Sequence, residues 1–400
     1  MENKYRILIV HNYYQYPGGE GTVVENEKQM LEKNGHFVCL YSKNNSEIKN
    51  YNLFKKILLP INYLFNIKTY FDIKRIIKKY DIDIVHIHNT INIISKSVYF
   101  VAKKNNIPIV QTIHNFRFLC PNGLLYRDGK ICEECLKDGL HCAMKHKCYR
   151  NSFLESLLSV VNIKQLLNSK VLNSINYICF SEFNKSKLLL LNEIYGKEII
   201  NSNKVYIKPN YTITYKGKVN LNEIRNNVFI YASRLDEGKG IKDLLYAWKD
   251  VKRDSTLLIC GNGPEEKWCK DYVNKNRINN IKFLGNISHD DLMKLISQSM
   301  CLLYPTKYYE TFGLSIVEAY SVGTPSIVAD FGNAGSLVED KMTGYKYKYG
   351  DIMDLRKKID SFVESKEMYS NCYQQYKEKY TETINYEKLL EIYNNVINDK

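Results

Sequence analysis

No stretch of this 400-residue chain stays apolar long enough to cross a bilayer, so pattern alone excludes a transmembrane segment. The first apolar run, Arg6 to Val10, is too short for the core of a secretory signal, and a cytoplasmic location is expected. Acidic residues are in deficit: 43 Asp and Glu stand against 57 Lys and Arg, a formal charge of +14 that calls for a polyanionic neighbour. Nucleic acid is not that neighbour on this reading, because no recognised module or aromatic-basic platform is present. Nor do the cysteines suggest a disulfide scaffold. Several of the eleven, such as Cys39, Cys179, Cys260 and Cys301, fall on buried-looking strands and suit a reducing compartment.

What is present is a long alternation of strand and helix patterns. Four hundred residues exceed one comfortable core, so two α/β domains with parallel sheets covered on both faces are expected. The boundaries read as 1–205, with a cysteine-rich insertion at 120–150, then 206–372, then a helical segment 373–400. The joint falls near Lys204 to Asn210.

The densest chemistry lies between Cys301 and Asp330. Cys301-Leu-Leu-Tyr304 reads as a buried strand stopped by Pro305, and Leu314 to Tyr320 as a short helix ended near Gly323. Glu310 then sits on the loop leaving the strand's carboxyl end, where open α/β sheets bind ligands, and Glu318 sits about one turn into the helix. Amides from Phe312 through Gly313 and Leu314 to Ser315 would face an anion there. A carboxylate near the start of an apolar helix needs hydroxyl or amide partners, and ribose offers hydroxyls.

About eighty residues earlier, Val228 to Ala232 reads as a strand and Ser233-Arg-Leu-Asp-Glu-Gly-Lys-Gly240 as a turn before a helix. Arg234 and Lys239 on that turn suit a diphosphate, one gripping bidentately and the other acting as a point charge. Gly261 and Gly263 follow another strand. A dinucleotide fingerprint would need a third glycine at Glu266, so a nicotinamide cofactor is disfavoured. Near the amino terminus, the strand Arg6 to Val10 leads into His11-Asn-Tyr-Tyr-Gln-Tyr-Pro-Gly-Gly-Glu-Gly-Thr22. Val23, Val24, Glu27, Met30 and Leu31 follow at near-helical spacing. Gly18, Gly19 and Gly21 let main chain approach a phosphate or sugar, but no Gly-Lys-Ser/Thr follows to make a P-loop. His88 and His114 each close a strand pattern.

The Glu310-x7-Glu318 spacing around Phe-Gly-Leu, with the Arg234 and Lys239 turn before it, resembles the retaining glycosyltransferases of family 4. These have the GT-B fold: two Rossmann-like doubly wound domains facing across a cleft, with a last helix crossing back to the first. The resemblance implies that Glu310 faces the transferred sugar and Glu318 bonds the donor ribose. Phe312, Gly313, Leu314 and Ser315 would hold sugar and diphosphate through their amides. Arg234 and Lys239 would stabilise the departing diphosphate, with Gly18 and Gly19 beside it and Gly261 and Gly263 near the base. His114 would lie beside the donor sugar, and His88 near the acceptor. Asn115 stands where relatives often carry Asp. The activity implied is transfer of a sugar from a nucleoside-diphosphate donor to a hydroxyl of a lipid-linked oligosaccharide or surface-polysaccharide precursor, with no cofactor required.

Two features extend this reading. Cys132-Glu-Glu-Cys135 has metal-knuckle spacing, and with Cys120 and Cys148 it could hold a structural zinc; a similar Cys-rich stretch occurs in bacterial polysaccharide glycosyltransferases. Between Tyr51 and Tyr80, seven Lys or Arg stand against Asp72 and interleave with Leu53, Phe54, Ile57 and Ile61. That segment reads as amphipathic and able to lie peripherally on an anionic membrane. The alternatives are another GT-B enzyme, such as a sugar-nucleotide epimerase or sugar-phosphate synthase, and a basic, zinc-stapled polyanion-binding protein.

Overall fold

The computed structural model describes residues 4–15 and 18–398. It divides into two compact units, one spanning 1–125, 133–208 and 386–400 and the other 126–132 and 209–385.

In the first unit a six-stranded sheet runs in the order β2-β1-β3-β4-β7-β8. Its members are β1 (Arg6–Tyr13), β2 (Phe37–Asn44), β3 (Ile84–Asn89), β4 (Ile109–Thr112), β7 (Asn176–Cys179) and β8 (Val205–Ile207), all paired in parallel. Ile7, Leu8, Ile9 and Val10 are completely buried at its centre, as expected of a strand covered on both faces. The strand order reverses between β1 and β3.

β5 (Tyr126–Arg127) and β6 (Lys130–Ile131) form a small antiparallel hairpin that groups with the second unit. The cysteine-rich insertion is therefore not wholly part of the first unit. The Tyr126 ring stands edge-on to Tyr308 at 5.7 Å, and the Gly129 turn lies against Glu237.

The second sheet contains β9 (Asn226–Ala232), β10 (Thr256–Cys260), β11 (Ile281–Gly285), β12 (Ser299–Tyr304), β13 (Ser326–Ala329) and β14 (Gly344–Tyr347). All are parallel, in the order β11-β10-β9-β12-β13-β14, so the order reverses between β9 and β12. Phe229, Tyr231, Trp248, Leu257, Ile259 and Leu303 lead its core.

Two boundaries differ from the pattern reading. Val205–Ile207 pairs with β7 and Lys208 is buried beside Glu27, so the first unit extends to Lys208. The return to that unit comes at Tyr386, inside the last helix, Glu382–Asn398, rather than at 373. Tyr386 reaches His36 at 3.1 Å and Tyr393 reaches His86 at 2.7 Å, which ties that half of the helix down. The basic segment 51–80 forms two helices, Leu53–Leu64 and Ile67–Tyr80. Tyr63, Ile73 and Ile77 face inward, whereas Leu53, Phe54, Ile57 and Ile61 are exposed. Among the described residues no helix is long and apolar enough to cross a membrane.

Candidate functional site

The reversal between β9 and β12 places the loops leaving those strands at the switch point, where an open parallel sheet binds ligands. Both loops are held in place by glycine. Gly261 has φ +129, and a Cβ there would lie 2.1 Å from the Ser233 carbonyl oxygen; one at Gly263 would lie 2.2 Å from that of Leu235. The Ser233 N–H donates to Cys260 O at 3.2 Å and the Leu235 N–H to Asn262 O at 3.0 Å. The Gly-Asn-Gly turn thus supports the Arg234 loop, main chain against main chain. Gly240, at φ +72, leaves no room for a Cβ beside the Pro305 carbonyl, so the loops after β9 and β12 are pressed together.

Lys239 and Glu310 meet there. The Lys239 Nζ is 2.6 Å from Glu310 Oε1, and the Thr306 hydroxyl donates to the same oxygen at 2.9 Å. The ammonium also lies 5.6 Å from the Tyr304 ring centre and 5.1 Å from that of Tyr308. Burial alone would pull the Lys239 pKa down; the Glu310 carboxylate and the two tyrosines overcome it and hold it well above the usual lysine range. The Lys239 ammonium is thus held in place, and its surroundings favour the charged form. The Arg234 side chain is different: it is 59 % exposed, with Asp236 3.7 Å away.

Gly313, at φ +98, caps the helix Leu314–Ser321, and the Ser315 hydroxyl donates to Ala232 O at 3.0 Å, joining that helix to the end of β9. Phe312 is buried, and Asn333 donates to its carbonyl at 2.5 Å; Leu314 is half-buried. Glu318, one turn in, receives His289 Nε2 at 3.2 Å. That hydrogen bond, ahead of the opposing effect of burial, raises the His289 pKa. Sequence reading missed His289. It follows the helix cap Ser288, and nothing in its local pattern announces a partner 29 residues away.

At the switch point of the first unit, Gly18 has an extended φ of −154 and Gly19 opens the helix Gly19–Lys33; among the described residues a Cβ on either would meet nothing within 4 Å. The fold itself does not require glycine there. Tyr16 and Pro17 of the same stretch lie outside the described residues.

His114, two residues beyond β4, is half-buried and lines a cavity of about 50 Å³ with His88, Asn89, Asn115 and Arg117. Its Nε2 is 2.9 Å from His88 Nδ1. His88 Nε2 lies 3.2 Å from Glu27 Oε1, and His86 Nδ1 3.0 Å from the same oxygen. Lys208 Nζ approaches the other oxygen at 3.3 Å. Burial would raise the Glu27 carboxyl; the opposing pull of His86 and Lys208 outweighs it and holds the carboxyl well below the usual range. Burial pushes the His86 imidazole down to about 4 and His114 well below its ordinary value. Glu27, His86 and His88 present three ligand-type atoms within 4.8 Å of one another. Helical spacing placed Glu27 on the buried face of its helix, but a lone carboxylate in an apolar stripe carried no sign of its partners.

Of the four cysteines expected to act together, Cys132 lies on the hairpin of the second unit, and Cys120, Cys135 and Cys148 lie in the first. Cys120 and Cys135 are buried, Cys132 and Cys148 half-buried.

Two family models match the chain: "Glycosyltransferase Family 4" over residues 17–137 and "Glycosyl transferases group 1" over residues 215–379. A glycogen synthase of Mycobacterium tuberculosis is 30 % identical over 139 residues, 34 % of this chain and 33 % of that protein. The chain thus spans about a third of the length of that relative. An alpha-monoglucosyldiacylglycerol synthase of Streptococcus pneumoniae is 22 % identical over 86 % of this chain and 75 % of its own. Among solved structures, Anabaena HepE in complex with UDP and glucose superposes with a TM-score of 0.63, at 16 % identity, covering 97 % of this chain and 98 % of that one.

Proposed function

The chain belongs to the family 4 glycosyltransferases of GT-B fold, and from that membership we propose that it is a retaining enzyme. On this reading it moves a sugar from a nucleoside-diphosphate donor to a hydroxyl on a lipid-linked oligosaccharide or surface-polysaccharide precursor. The observation that carries the reading is the contact of Lys239, Glu310 and Thr306 where the loops after β9 and β12 converge.

Negative charge grows on the diphosphate as its bond to the sugar breaks. A cation already fixed in place lowers that barrier without having to reorganise. Lys239 meets this requirement, and the exposed Arg234 is free to swing onto the second phosphate. Glu310, oriented by Lys239 and Thr306, faces the sugar. Glu318 bonds the ribose hydroxyls, for which His289 stands in here. The acceptor attacks from the face the diphosphate leaves, and a diphosphate oxygen takes the acceptor's proton, so the configuration is kept. A UDP complex of the same fold supports the donor class, and a relative named for a glucosylated diacylglycerol supports a lipid acceptor. The exposed Leu53, Phe54, Ile57 and Ile61, with Lys55, Lys56 and Lys68 around them, support binding to the membrane that holds it.

The test is to incubate the protein with nucleoside-diphosphate sugars and a lipid-linked acceptor, and to read the new linkage by NMR. Retention of the donor's configuration with release of the nucleoside diphosphate is expected. An inverted linkage, or no product with any donor, would contradict the proposal. Sedimentation with anionic vesicles should be lost when Leu53, Phe54 and Ile57 are replaced by Ser; binding that survives this change would separate the enzyme from the membrane.

A further inference from the structure

We infer that Glu27 is a positioning residue which, acting through His88, fixes which ring nitrogen of His114 carries the proton. This rests on the proposed function only for the task of His114; the proton order follows from the geometry of the first unit.

Glu27 is 1 % exposed on the inner face of its helix. A buried carboxylate without a counter-charge is very costly, and Lys208, 3.3 Å away and equally buried, supplies one. The ammonium supplies the positive charge that a metal ion would otherwise bring to the carboxylate. Glu27, His86 and His88 therefore form a proton-ordered network rather than a ligand set.

An ionised carboxylate can only accept, and a neutral imidazole carries a single N–H. Glu27 Oε1 faces two imidazoles. His86 Nδ1 lies 3.0 Å from that oxygen and is hydrogen-bonded to the Tyr393 hydroxyl at 2.7 Å. The other ring nitrogen, His86 Nε2, pairs with the Thr112 hydroxyl at 2.8 Å. His88 Nε2 lies 3.2 Å from Glu27 Oε1 without a directed hydrogen bond, and the nearby carboxylate favours the ring form whose single N–H is on that side, which leaves Nδ1 to accept. The atom 2.9 Å from that nitrogen is His114 Nε2, which must therefore carry the hydrogen. His114 Nδ1 then carries no hydrogen, on a ring that lines a cavity with Asn115 and Arg117. Two further groups lie near without interrupting the order: the His11 ring is 6.4 Å from that of His88, and Glu20 is 3.8 Å from His11. The charge on Glu27 thus sets the tautomer of a ring one close contact and one hydrogen bond away.

The test uses the full chain labelled with ¹⁵N-histidine, with the His114 signals assigned by a His114→Gln variant. The expected wild-type pattern is a protonated Nε2 and a bare Nδ1 on His114. Glu27→Asp keeps the charge and should keep that pattern, and Thr112→Val, on the other arm, should leave it unchanged. Glu27→Gln should give a mixture of tautomers. If Glu27→Gln does not fold, the charge-balanced double change Glu27→Gln with Lys208→Met reads the same effect. A wild-type His114 protonated at Nδ1, or a pattern unmoved by loss of the Glu27 charge, would overturn the inference. In transfer assays the tautomer loss should lower kcat about tenfold with donor KM unchanged. A tautomer that shifts with no change in kcat would uphold the proton order and remove His114 from the proposed chemistry.

Discussion

Lys239 and Glu310 in the second unit lie 2.6 Å apart with side chains 19 % and 10 % exposed; Lys208 and Glu27 in the first lie 3.3 Å apart, each 2 % exposed. The residue types are the same but the surroundings differ. The first pair stands on two loops near an exposed arginine, so its charges remain within reach of a ligand. The second is enclosed by His86, His88, Thr112 and Tyr393, so its charges act only on neighbouring protein groups. An accessible pair can be spent on a substrate, whereas a sealed pair sets the structure and proton order around it.

The largest effect should come from breaking the sealed pair. Glu27→Ala removes the carboxylate that faces the buried Lys208 and should cost about 3–5 kcal/mol in urea unfolding, whereas Glu27→Gln with Lys208→Met should cost far less. Equal losses from both would mean that packing, not charge, governs the site. Next comes the accessible pair. Lys239→Ala should lower kcat by about 10²–10³ while moving the unfolding midpoint much less than Glu27→Ala does. A variant that unfolds without a matching loss of turnover in the folded fraction would place Lys239 with the structural pairs.

The glycines sharpen the same contrast. Gly261→Ala forces a Cβ against the Ser233 carbonyl and should destabilise by about 1–3 kcal/mol, with weaker nucleotide binding. Gly19→Ala meets open space and should leave stability within about 0.5 kcal/mol, while raising donor KM if main chain must approach the donor there. Denaturation and KM measured on the same two variants separate a glycine kept for the fold from one kept for a ligand. The smallest effect is at His289. Its pKa is raised by Glu318, so the pair stabilises fully below the ordinary imidazole value of 6.5 and weakens as pH rises through the raised value. Half of that side chain is exposed, so the slope in thermal melts should be slight, and it should vanish in His289→Gln.

Much of this was legible in the sequence. The strands around Ile7, Phe229 and Leu302 appear as continuous apolar runs, because a parallel sheet buries both faces and leaves a period-free signal. The positions of Arg234, Lys239, Glu310 and Glu318 on loops and a helix start were legible because each sits at a fixed offset from a strand end, where short loops preserve spacing. The partners were not legible. That Glu27 would meet His86, His88 and Lys208 depends on a strand order, β1-β3, that places residues 59 to 181 positions apart on one carboxylate. His289 meets Glu318 through the packing of two helices of the second unit, 29 residues apart in sequence. Likewise, the hairpin 126–132 follows the second unit through the contacts of Tyr126 and Gly129, which no composition shift marks.

The central claim is that the loops after β9 and β12 form a nucleotide-sugar site. It is tested most directly by thermal shift with UDP, GDP, ADP and CDP on the wild type and Glu318→Ala. At a hundred times its dissociation constant the right diphosphate stabilises by about 2.7 kcal/mol, worth roughly 2 °C or more in a chain of this size. The account predicts that one diphosphate shifts the wild type and that Glu318→Ala loses the shift. A flat wild-type response to every diphosphate, or a shift that Glu318→Ala keeps in full, would contradict it.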